Sequence, residues 1–180
     1  MLDLVTGGSG SGKSEYAEML AVEAHGKSPK GKLYYIATMY PYDEECIKRI
    51  EKHRNMRSQK GFTTIECYTH LEQVQVTGED VVLLECMSNL LANEMYREEG
   101  RIKPGTETDG VDAILGPLFV LADKAAHAVV VSNEVFSDGV EYEEETKQYV
   151  RLLGEINRKI GKKADKVTEV VCGIPVFVKT

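Results

Sequence analysis

The stretch that most constrains the fold is Gly7-Gly8-Ser9-Gly10-Ser11-Gly12-Lys13-Ser14, a G-x-x-x-x-G-K-[ST] pattern close to the start of the 180-residue chain. Its glycines let the backbone curl until successive N–H groups face inward, as oxygens of a phosphate require. An apolar run at residues 2–6 precedes it and reads as a buried strand. Residues 14–24 follow as a helix, with Ala17, Leu20, Ala21 and Ala24 on one face. A helix N-terminus favours anions, so the loop sits where a nucleotide phosphate is held best. In such a loop Lys13 reaches the β- and γ-phosphates and the Ser14 hydroxyl binds Mg²⁺.

The rest of the chain repeats the strand-then-helix alternation. Strands are expected at residues 33–38, 62–67, 81–85 and 128–132. Helical patterns cover residues 43–56, with Cys46, Ile47 and Ile50 inward, and 86–96. Residues 70–76 show a weaker helical pattern, and residues 101–109, with Pro104 and Gly105, read as a loop. Residues 111–126 are helical with a kink or restart at Pro117. A long helix at 143–162 carries Tyr149, Leu153, Ile156 and Ile160 on one stripe. The end, 167–172 and 176–179 around Gly173-Ile174-Pro175, reads as a hairpin. This order predicts one α/β domain over residues 1–180. It is a P-loop NTPase-like three-layer domain, a mostly parallel sheet with a C-terminal antiparallel hairpin.

Bulk properties exclude several classes. The net charge of −7 argues against a nucleic-acid or anionic-membrane surface. No apolar run approaches the ~20 residues of a membrane span, and no signal-like start is seen, so a cytoplasmic setting is expected. Cys46, Cys67, Cys86 and Cys172 form no C-x-x-C pair and read as small apolar residues near strand ends.

Two further features carry chemistry. The apolar strand at 81–85 ends in Glu85, where a nucleotide site needs an acid for Mg²⁺, although Asp is commoner there. Arg49, His53 and Arg57 recur every four residues and share one helix face. Flanking cations favour a neutral imidazole, which can attack phosphorus, and the arginines can hold phosphate oxygens. The same spacing suits a solvated basic face. His25, His70 and His127 lack such surroundings and read as structural.

Taken together, "LVTGGSGSGKS", "YIAT" at 35–38, "DEECIKRIEKHR", "LLEC" with "SNLLAN", "VVVSNEV" and "INRKIGKKADKVTEVVCGIPVFVK" span nearly the whole chain. This set resembles the bifunctional adenosylcobinamide kinase / adenosylcobinamide-phosphate guanylyltransferase family of cobalamin biosynthesis. The loop alone is generic; the R-I-x-x-H-R segment and the G-I-P-V ending are far more specific. The resemblance implies two reactions. The aminopropanol hydroxyl of adenosylcobinamide is phosphorylated by ATP or GTP. GMP is then transferred from GTP to that phosphate through a guanylyl-histidine, releasing pyrophosphate. It makes His53 that histidine. It places Ile36, Ala37, Thr38, Arg54, Asn55, Met56, Arg57, Glu66 and Glu85 around the GTP. It also implies a homotrimer with sites near subunit boundaries.

The sequence departs from the family after "SNEV". A glycine-rich G-x-G-I-V-P stretch is usual there, whereas residues 136–141 contain no proline. An arginine typical of the next helix is missing, and residues 96–112 are unusual in loop and charge content. These departures bear on the kinase half; His53 and the phosphate loop are intact. Within the resemblance they leave a guanylyltransferase without kinase activity open; read from residues alone, a plain P-loop kinase of a small metabolite and a nucleotide-dependent switch module also remain open.

Overall fold

The computed structural model describes residues 1–27, 29–103, 105, 108–136 and 142–180, with the side chains of all but 52, 56, 108 and 109. Seven strands form one sheet: β1 (Leu2–Thr6), β2 (Leu33–Ala37), β3 (Thr63–Glu66), β4 (Val81–Glu85), β5 (His127–Val131), β6 (Lys166–Val171) and β7 (Ile174–Lys179). Their spatial order is β3-β2-β4-β5-β1-β6-β7. Every pairing is parallel except β6 with β7. Helices α1 (Lys13–Lys27), α2 (Glu44–Arg57), α3 (Met87–Tyr96), α4 (Asp112–Lys124) and α5 (Glu144–Lys163) provide the crossovers.

Strand alternation builds the layers. Along β4, Val81 and Leu83 join one core cluster and Val82 and Leu84 the other. Successive side chains leave opposite faces of a strand, so a strand buried on both sides must be apolar throughout. One cluster packs Ala17 and Ala21 of α1 against the sheet, where small residues let the helix come close. The other packs Leu90 of α3, Leu118 of α4 and Leu153, Ile156 and Ile160 of α5. Burying one such Leu or Ile stabilises the fold by about 1.5–3 kcal/mol. The expected stripe on α5 is therefore real, with Tyr149 packed at its edge.

Several local expectations need correction. Ile47 is 44% exposed, because α2 lies over a cleft rather than flat on the sheet. Residues 70–76 hold only a short 3-10 turn at Leu71–Gln73, since His70 adopts a left-handed conformation with φ 55° and the chain is extended again at Val74. α4 runs unbroken through Pro117, so the helix does not restart there. The hairpin turn is Cys172-Gly173, while Ile174 and Pro175 already pair in β7. Both turn residues have positive φ, 50° and 80°, as a two-residue connection matched to strand twist requires. The four cysteines are free, but Cys46 lies within α2 and Cys172 is exposed in the turn. Part of the expected 101–109 loop lies outside the described residues.

The parallel strands β1, β2, β4 and β5 end on one side of the sheet. There the chain passes from β1 into the phosphate loop and from β4 into Cys86. Asp80 ties the opposite ends together, accepting from the amides of Lys32 at 2.8 Å and Thr77 at 2.7 Å. Among the described residues, no helix is long and apolar enough to cross a membrane.

Candidate active site

A cavity of about 580 Å³ opens at the C-terminal ends of these strands, where open parallel sheets bind ligands. Ser9 to Ser14 form its floor. The loop is shaped by contact with the C-terminal hairpin. Gly173 N donates to Ser11 O at 2.8 Å. At Gly7, φ is +154° and a Cβ would lie 2.6 Å from Val170 O, so no larger residue fits. Gly7 itself is buried behind the floor, and Gly8 contributes its carbonyl, which accepts from Lys13 Nζ at 2.9 Å. Burial pulls the Lys13 ammonium below its ordinary value, as does Arg49, against the raising effect of Cys86 and Glu85.

Glu85 caps β4 and is the hub. The Ser14 hydroxyl donates to its Oε1, and the Tyr35 hydroxyl donates to its Oε2 at 3.1 Å. Burial, followed by the Glu85 carboxylate, raises the Tyr35 hydroxyl far above its usual range, so it stays a donor. Stacked on that ring, the Arg57 guanidinium carbon lies 3.4 Å from the centroid. Arg57 Nη1 is buried with no hydrogen-bond partner. A buried guanidinium nitrogen with nothing to donate to is a waiting anion ligand.

α2 roofs the cavity. Arg49, His53 and Arg57 all face it, as their four-residue spacing predicts, Arg54 beside them lines it too, and Ile47 and Ile50 line its mouth instead of the core. His53 Nδ1 lies 3.9 Å from Glu85 Oε1. At the rim, Arg54 Nη2 donates to Glu66 Oε1 at 2.6 Å and the Tyr68 hydroxyl to Glu66 Oε2 at 2.9 Å.

The structure therefore brings together Ser9, Gly10, Ser11, Gly12, Lys13, Ser14, Ala37, His53, Arg54, Arg57, Glu66 and Glu85. It does not bring Ile36, whose side chain is in the opposite core, nor Asn55, which is exposed on α2. Thr38 is fully buried behind the site. Its hydroxyl donates to Cys86 O at 2.9 Å and accepts from Cys86 N at 2.6 Å, clamping the ends of β2 and β4. The Met56 side chain, and residues 137–141, lie outside the described residues. Sequence reasoning missed Tyr35, which looked like an ordinary strand residue. It also missed Glu18, a completely buried acid on the Ala17/Ala21 face of α1. The available signal was a charge inside an otherwise apolar stripe.

The other histidines have structural partners. The His25 ring meets Gly31 O at 3.0 Å, His70 meets Glu99 O at 3.0 Å, and His127 meets Asp3 Oδ2 at 3.0 Å.

Comparison with known proteins places this geometry. The bifunctional adenosylcobalamin biosynthesis protein CobU of Salmonella typhimurium is 31% identical, over 99% of this chain and 100% of that one. CobP of Pseudomonas aeruginosa, with the same bifunctional description, is 30% identical over 99% and 98%. A solved structure of the flagellar accessory protein FlaH from Methanocaldococcus jannaschii aligns with 99% of this chain and 77% of that one, at 16% identity and TM-score 0.47. The family described as cobinamide kinase / cobinamide phosphate guanyltransferase matches residues 3–178, and the chain belongs to that family.

Proposed function

We propose that this protein phosphorylates adenosylcobinamide with a nucleoside triphosphate and then transfers GMP from GTP to adenosylcobinamide phosphate through a guanylyl-histidine. The observation that carries the reading is the convergence of a phosphate loop, an unpartnered buried arginine and a histidine on one cavity.

The guanylyl steps follow from these side chains. Backbone N–H groups of the loop at residues 9–14 cradle the triphosphate without reorganising. A His53 nitrogen lone pair attacks the α-phosphorus. A P–N bond forms, the bond to the bridging oxygen breaks, and pyrophosphate leaves with that electron pair. Lys13 releases the Gly8 carbonyl and donates to the leaving phosphates. Arg57 Nη1 donates to nucleotide oxygens. A phosphate oxygen of adenosylcobinamide phosphate then attacks the same phosphorus. The P–N bond breaks, and the imidazole is restored. Splitting one displacement into two lets a single site serve both partners. In the kinase step the same loop presents the γ-phosphate to the aminopropanol hydroxyl.

The residues fit Mg²⁺, since a hydroxyl and a carboxylate, Ser14 and Glu85, already touch, and hard oxygen donors suit this ion. Bound there, it supplies charge neutralisation for the phosphates. Glu66 lines the cavity, and its carboxylate suits the N1–H and amino group of guanine. Adenine offers an acceptor at N1 instead.

The quaternary reading is a homotrimer acting in the cytoplasm. Its support on the surface is β7, an edge strand whose Ile174 and Val178 are each 65% exposed and whose Phe177 is 64% exposed. An apolar edge of that kind invites a second copy of the chain. The test of the activity is direct: incubate the protein with adenosylcobinamide, ATP, GTP and Mg²⁺ and read products by mass. Adenosyl-GDP-cobinamide and pyrophosphate are expected. Phosphorylated adenosylcobinamide alone would reduce the protein to a kinase, and no corrinoid product would remove the assignment.

A further inference from the structure

Glu18 is fully buried, yet only half of its carboxylate is used. Lys60 Nζ donates to Oε2 at 2.6 Å, while Oε1 has no hydrogen-bond partner. His53 is incomplete in the same way. Its Nδ1 is shut away from solvent with no partner, although the ring as a whole is 26% accessible. The ring lines the cavity, so Nε2 is the nitrogen left for a bound nucleotide. One oxygen each of Glu18 and Glu85 and one nitrogen of His53 lie within 4.8 Å of one another. Glu85 is already engaged on both oxygens, by Ser14 and by Tyr35. Glu18 Oε1 is the acceptor left over.

We propose that Glu18 is the positioning residue of the guanylyl-transfer step: its free oxygen accepts the Nδ1–H of His53 and so leaves the Nε2 lone pair facing the α-phosphorus. This rests on the reading of His53 as the nucleophile. A histidine attacks only through an unprotonated nitrogen, and the bond made by one ring nitrogen fixes which one that is. Bonds of this type are commonly long without substrate and tighten when it binds. Attack leaves positive charge on the imidazole, and the carboxylate stabilises it. Lys60 holds the second oxygen and so fixes the direction of the first. The pairing of His127 with Asp3 at 3.0 Å shows the same imidazole–carboxylate contact made fully elsewhere in the molecule.

Two measurements test this. The first needs no substitution at Glu18. Protein carrying ¹⁵N-histidine is examined by long-range ¹H–¹⁵N correlation, with His53→Gln assigning the signal. Nδ1 should show the shift of a protonated nitrogen and Nε2 that of a bare one. In Glu18→Ala this preference should relax toward that of free imidazole. The opposite tautomer in the wild type, or an unchanged one in Glu18→Ala, would overturn the proposal. The second is single-turnover labelling with α-³²P-GTP. Glu18→Ala should slow label formation by on the order of a hundredfold or more at an unchanged Kd for GTP. Glu18→Gln, whose amide oxygen still accepts, should recover part of the rate. Labelling of Glu18→Ala at the wild-type rate would sink the positioning role. If wild type itself never labels, the nucleophile reading fails, and the tautomer measurement still decides the role of Glu18.

Discussion

Ser14 and Glu85 are 71 residues apart in the chain, yet the hydroxyl of one donates to the carboxylate of the other. The contact joins the second residue of α1 to the end of β4. It exists because β1 and β4 are both parallel neighbours of β5 and terminate at the same level. If this pair holds Mg²⁺, Ser14→Ala and Glu85→Gln should each raise the Mg²⁺ concentration for half-maximal activity by about 10–100-fold. Both the kinase and the guanylyl step should show the shift. Titration of activity against Mg²⁺ checks it, and unchanged curves would contradict it.

Base choice is expected to depend on Glu66. Its carboxylate is held by Arg54 and Tyr68, so it is oriented before any base arrives. Glu66→Gln replaces a charged acceptor with a neutral one, which costs about 1.5–3 kcal/mol for the hydrogen bonds lost. Affinity for GTP should fall by roughly 10- to 150-fold, while that for ATP changes little. Calorimetric titration with the two nucleotides separates this from a general loss of binding.

Acid sensitivity should trace to Glu94. Its side chain is completely buried and accepts from Arg101 Nη2, His70 N and Arg101 N, each at 2.9 Å. Burial pushes the carboxyl up, but Arg101 and the two amides outweigh it and hold it below its ordinary 4.5. A depressed carboxyl stabilises the fold above its unfolded pKa, and that contribution disappears as pH falls through the folded value. Replacing the carboxylate by a neutral amide weakens these charge-assisted hydrogen bonds by about 1.5–3 kcal/mol. Glu94→Gln should therefore lower the Tm by roughly 3–12 °C at pH 7. The gap to wild type should close as pH drops below the carboxylate range. A gap independent of pH would contradict this.

The apolar edge at β7 predicts the assembly. Phe177→Asp places a charge on a face that a second copy would cover. The mass by light scattering should fall from three chains toward one. A wild-type mass of one chain would remove the trimer.

Much of this was legible in the sequence, for identifiable reasons. The phosphate loop is a local device, so its eight residues declare it. The two-sided burial of β4 and β5 shows as unbroken apolar runs. The four-residue spacing of Arg49, His53 and Arg57 correctly put them on one face. Periodicity reports that a face exists, not what it meets. Hence Ile47 and Ile50 read as core residues although they edge a cleft. Glu18 and Tyr35 act through partners 42 and 50 residues away, Lys60 and Glu85, and no local pattern carries such a relationship. Thr38 shows the reverse case: it sits next to the site in sequence but spends its hydroxyl on Cys86 behind it.

The most direct test of the account is labelling with α-³²P-GTP and Mg²⁺, followed by denaturing electrophoresis, for wild type and His53→Ala. With His53 as the nucleophile, wild type carries a label that is acid-labile and base-stable, as a phosphoramidate is, and His53→Ala carries none. Absence of label on a wild type that demonstrably binds GTP, or equal label on both proteins, would contradict it.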